Sequence, residues 1–170
     1  MSDVTDSRLT LVNAVAFQAC WFACVIGGSL WALPAVILFM VWHQRVADKR
    51  EWILISVLTL CGIAIDTLWY QIGLIQFPNY SMPVVPVWLA LLWLAFSATL
   101  MHSLAVFFSR PWLITPVAAI AAPVSYFAGE RFGSITLADN SLWVIAASWA
   151  GLMLFFSVAH KNLTKERIYG

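Results

Sequence analysis

The chain has 170 residues, 62% of them hydrophobic and only 10% charged, with ten Trp, eleven Phe and a formal net charge of +1. So few charges cannot cover a water-soluble surface of this size, which excludes an ordinary soluble domain. No basic cluster lies outside the short 45–50 segment, so nucleic acid is not expected as a partner.

The fold class expected is all-α: a polytopic membrane protein forming a single integral membrane domain over 1–170. Residues 1–10 are polar, with Asp3, Asp6 and Arg8, and lack the basic start and small-residue cleavage site of a signal peptide. The first apolar run is therefore read as a retained helix over about 9–26. Gly27-Gly28-Ser29 supplies a tight turn into a second helix over about 30–44. That second run is short for a bilayer crossing, so a re-entrant first hairpin is the alternative to two full spans.

The most charged stretch, Arg45 to Glu51, precedes a third helix over about 52–74, and the proline-rich link that follows carries no charge. A fourth helix is expected over about 86–108, a fifth over 112–129, and a sixth over 141–159. Pro116 and Pro123 lie inside the fifth, which is expected to kink. Six crossings put Arg8, Arg45, Lys49, Arg50, Arg110, Lys161, Lys165 and Arg167 on one side and Arg131 alone on the other. The positive-inside rule then makes both termini cytoplasmic. Pro34 and Pro116, near the starts of helices two and five, are a faint echo of an inverted three-plus-three repeat.

Asp66 is the sharpest local signal. It lies fourteen residues beyond Trp52, about 21 Å along the third helix, and an acid at that depth is a functional-site candidate by default. Tyr70 shares its face, and Gly62 and Gly73 line the same stripe, where small residues admit a neighbouring helix. Tyr126 and Glu130 are four apart near the outer end of helix five, with Arg131 next. Two readings of Asp66, Tyr70, Tyr126, Glu130 and Arg131 stand side by side. One is an outer-leaflet polar pocket in which Asp66 and Tyr70 are the candidate catalytic groups and Arg131 holds an anionic head group. The other is a structural ion pair fixing helix three against helix five.

A second polar group comprises Asn13, Gln18 and His102, read as inter-helix hydrogen bonding. Asn13 and Gln18 are about 140° apart around a helix and cannot share a partner. His102 has no second histidine or carboxylate at i+3 or i+4, and His43 and His160 read as interfacial, so no metal site and no cofactor are expected. Cys20, Cys24 and Cys61 form no CxxC motif and read as packing residues.

Three segments carry a resemblance: Asn13-Ala-Val-Ala-Phe17-Gln18-Ala-Cys-Trp21-Phe22-Ala-Cys24, Trp93 to Leu104 around His102-Ser103, and Ala122 to Gly133 around Gly129-Glu130-Arg131. Over nearly its whole length the chain resembles a small bacterial inner-membrane family catalogued only as a domain of unknown function. The resemblance implies multi-pass insertion in the bacterial inner membrane. Relatives encoded beside fatty-acyl methyltransferase-like and flavin-oxidase-like proteins direct the expectation to lipid or isoprenoid chemistry. The leading expectation is thus a lipid-handling protein, whether binder or enzyme, whose partners are membrane lipid and a second copy or a partner membrane protein. A small proton-coupled transporter and a membrane scaffold are the alternatives.

Overall fold

A computed structural model describes residues 2–169, and side chains within 7–161. It is mostly helical, in the order α1 (Ser2–His43), α2 (Lys49–Gln71), β1 (Ile75–Gln76), α3 (Val87–Ser97), α4 (Ala105–Phe108), α5 (Pro111–Arg131), β2 (Thr136–Leu137) and α6 (Ser141–Tyr169). Among the described residues, four helices are long and apolar enough to cross a membrane: 7–43, 49–71, 111–131 and 141–161. The α3 helix is apolar but only 11 residues long.

The α1 helix is two arms rather than one rod. Gly28 has φ +59°, a conformation that glycine alone adopts without strain, and helical geometry resumes on either side. The Cys20 thiol lies 3.5 Å from the Ala35 carbonyl oxygen. A straight helix would hold those residues about 22 Å apart, so the chain doubles back at Gly28. The expected turn at Gly27-Gly28-Ser29 is thereby realised in a single residue. Cys20, Cys24, Ala32, Val36 and Phe39 form the core between the arms.

The expected fourth helix over 86–108 is corrected. It stops at Ser97, passes through turns over 98–104, and resumes for one turn at Ala105. Ser97 Oγ donates to the Trp93 carbonyl and Thr99 Oγ1 to the Phe96 carbonyl, drawing on the acceptors that would continue the helix. Asn13, fully buried, completes the exchange: its Nδ2 donates to the Ala98 carbonyl at 3.0 Å, and its Oδ1 accepts from Ser103 Oγ at 2.7 Å. Buried backbone that leaves a helix needs other partners, and Asn13 supplies them here.

The chain is mostly helical, as expected, with one two-residue antiparallel pair added. β1 and β2 are antiparallel, with Ile75 opposite Leu137 and Gln76 opposite Thr136. Each strand follows a helix closed by a left-handed glycine: Gly73 at φ +79° after α2 and Gly133 at φ +77° after α5. The Leu74 amide reaches back to the Trp69 carbonyl and the Ser134 amide to the Gly129 carbonyl, the six-to-one bond of a Schellman cap. The ends of α2 and α5 therefore meet at one end of the bundle.

The two units repeat in detail. Buried positions 58, 62, 66 and 69 of α2 become 118, 122, 126 and 129 of α5, a constant shift of 60 that also carries Gly73 onto Gly133. Gln76 and Thr136, paired with each other, obey the same shift, so a local two-fold passes between the strands. The repetition on display therefore relates helices running in the same direction, which differs from the inverted echo expected from the prolines. The α5 helix continues through Pro116 and Pro123, with Thr115 Oγ1 donating to the Pro111 carbonyl.

Candidate functional site

Asp66 faces the interior of the bundle and is fully buried. Its Oδ1 accepts the Tyr126 hydroxyl at 2.6 Å, and its Oδ2 accepts the Trp93 indole N–H at 2.6 Å. Three elements, α2, α5 and α3, thus converge on one carboxyl group. Gly62 makes this possible, one turn below Asp66: a Cβ there would sit 2.1 Å from the Trp93 ring. The small residue admits the indole, and the indole brings a donor to the acid.

Trp93 then stacks on Trp149 of α6, with ring centroids 4.6 Å apart and planes at 13°. These rings form one wall of a cavity of about 510 Å³ between the first arm of α1 and helices α3, α5 and α6. Phe17, Trp21, Trp88 and Phe96 contribute further rings, and Ala118 and Ala122 of α5 leave the space open. Tyr126 and Trp93 line the cavity, so Asp66 lies directly behind its wall. Polar groups are few: Gln18 lines the cavity, and the Trp21 indole donates to Ser125 Oγ at 2.9 Å, joining α1 to α5.

The predicted pocket is thus brought together only in part. Asp66 and Tyr126 are in direct contact. Tyr70 instead donates to the Tyr80 carbonyl and packs edge-on to Phe77, which ties down the loop after β1. Glu130 accepts the Leu137 amide at 2.9 Å and so holds β2. Arg131 is exposed, its guanidinium 4.9 Å over the Phe127 ring, and forms no ion pair with Asp66 or Glu130. Of the second group, Asn13 binds the break after α3, Gln18 lines the cavity, and His102 belongs elsewhere.

His102 meets two residues that sequence reasoning passed over. His43, read as interfacial, is fully buried, and its Nε2 and that of His102 both lie 3.0 Å from Glu51 Oε1. The three come from the end of α1, the first turn of α2 and the break after α3, so no spacing within one helix could have signalled them. Trp93 was legible only as part of an aromatic run, since its partner acid is 27 positions away.

Residues 10–155 match the family described as "Protein of unknown function (DUF2878)", and the chain belongs to that family. No curated protein and no solved structure matches the chain.

Proposed function

We propose that this chain crosses the bacterial inner membrane six times, with both termini in the cytoplasm, and binds an acyl or isoprenoid lipid in the cavity bounded by α1, α3, α5 and α6. The cavity carries the reading. It has the volume of a small-molecule site, is lined by aromatic and aliphatic groups, and has a few polar groups, on α1 and α5, to orient a ligand. A lipid chain gains dispersion contacts from the stacked and edge-on rings, while a hydroxyl on it can donate to the Tyr126 oxygen and a hydroxyl or carbonyl can bond Gln18.

The distribution of charge supports the orientation. Arg131 is near the strand-bearing end, whereas Arg45 and Arg110 lie in links at the other and Lys49 and Arg50 in the first turn of α2 there. The two arms of α1 behave as a hairpin packed against α3, which brings Phe17 and Trp21 to the cavity.

The test is lipid analysis by native mass spectrometry on protein extracted in native membrane patches, comparing wild type with Ala122→Trp, which fills the cavity. A lipid or prenyl species enriched over bulk membrane, and lost on filling, is the expected result. Bulk lipid alone in both proteins would overturn the reading.

A further inference from the structure

The α1 helix ends at His43, and a short turn leads to Asp48, whose carboxylate accepts the Arg50 and Glu51 amides at 2.8 Å each. That cap fixes the first turn of α2 and hence the place of Glu51. His102 arrives on the unwound stretch between α3 and α4. Trp52 stands edge-on to His43 at 5.9 Å, and the two imidazoles are 5.0 Å apart, so the rings are held by packing.

Three atoms converge. Nε2 of His43 and Nε2 of His102 are each 3.0 Å from Oε1 of Glu51, and the group lies within 4.8 Å of one another. All three atoms are buried, and none has a hydrogen-bond partner. Each histidine–glutamate contact is at ion-pair distance, but neither N–H is aligned on the oxygen as a full hydrogen bond requires. Leaving such groups unsatisfied costs about 1–3 kcal/mol apiece unless something sits among them.

With bonds of about 2.1 Å, neighbouring ligand atoms stand about 3.0 Å apart at octahedral angles and about 3.4 Å apart at tetrahedral ones. The separation of Glu51 from each histidine, 3.0 Å, matches the octahedral spacing and is a few tenths of an ångström short of the tetrahedral one. We propose that His43, Glu51 and His102 form a binding site for a divalent first-row transition-metal ion. Two imidazoles with one carboxylate suit zinc or ferrous iron, and they disfavour magnesium and calcium, which take oxygen ligands. Three protein ligands leave positions for water or substrate, as in catalytic rather than closed structural sites. Glu51 is fifteen residues from Asp66, about 22 Å along α2, and none of the three residues lines the lipid cavity, so the proposal does not rest on that reading.

The test uses full-length protein in native membrane patches, stripped with chelator and offered Zn²⁺, Fe²⁺ under anaerobic conditions, or Mg²⁺, with elemental analysis after washing. Retention of about one zinc or iron ion per chain and no magnesium is expected. Glu51→Gln and His102→Gln should lower occupancy at least ~10-fold. Because either variant can fold poorly, the wild type is also loaded with Co²⁺, and its X-ray absorption should show histidine scattering. Absence of stoichiometric metal in wild type, unchanged retention in both variants, or cobalt without histidine scattering would each overturn the proposal.

Discussion

Asp66 of α2 and Tyr126 of α5 occupy the same place in two copies of one structural unit, and they are hydrogen-bonded to each other at 2.6 Å. The local two-fold between β1 and β2 brings equivalent positions face to face, so their chemistry has to be complementary. Two aspartates here would oppose carboxylate to carboxylate. An acceptor from one copy against a donor from the other avoids that, and the cavity inherits an asymmetric polar wall.

Tyr126→Phe removes one of the two donors to a buried acid and should destabilise the protein by about 1–3 kcal/mol. Combined with Asp66→Asn in a double-mutant cycle, the two changes should be non-additive by roughly 0.5–3 kcal/mol. Unfolding in mixed detergent micelles measures both. Additive losses would mean that the contact contributes nothing of its own.

Gly62→Ala should be costly for its size. Its Cβ would overlap the Trp93 ring, whereas one at Gly151 meets open space. The expected losses are about 1–3 kcal/mol for Gly62→Ala and close to none for Gly151→Ala. Trp93 fluorescence, isolated by replacing the other tryptophans, should shift only in the first. Equal behaviour of the two variants would refute the packing assigned to Gly62.

Asn13→Ala leaves the Ala98 carbonyl and Ser103 hydroxyl without their partner on α1. Hydrogen exchange should accelerate over 98–104 while α2 is unaffected, with an overall loss of about 1–3 kcal/mol. Unchanged protection of that stretch would show that the break holds itself.

The membrane orientation is open to chemical labelling. Asp139 and Ser109 are both exposed, one in the link after β2 and the other in the link before α5. In intact cells an impermeant maleimide should label Asp139→Cys, and should reach Ser109→Cys only after the membrane is opened. Cys20 and Cys24 are buried, and the partly exposed Cys61 is replaced by Ala to keep the background low. The reverse labelling pattern would invert the proposed topology.

Composition alone determined the class, because 62% hydrophobic residues cannot be hidden inside 170. Hydropathy placed most of the helices, and depth marked Asp66 as a group that needs partners. Gly62 and Gly73 were legible as small residues on its face, although their separate uses, admitting Trp93 and capping α2, were not. The break after Ser97 was invisible to a hydropathy window, which sums apolar character and does not register hydroxyls competing for carbonyls or an asparagine arriving from 85 positions away.

The 60-residue repeat left a trace in Gly73-Leu74-Ile75 and Gly133-Ser134-Ile135, but residue identity conceals it where it matters most, at Asp66 and Tyr126. Sequence spacing reports which side chains share a face of one helix. Which faces meet is decided by packing between helices. Only the tertiary structure could therefore pair Asp66 with Tyr126 and Trp93, or gather His43, Glu51 and His102 from three separate elements around one point.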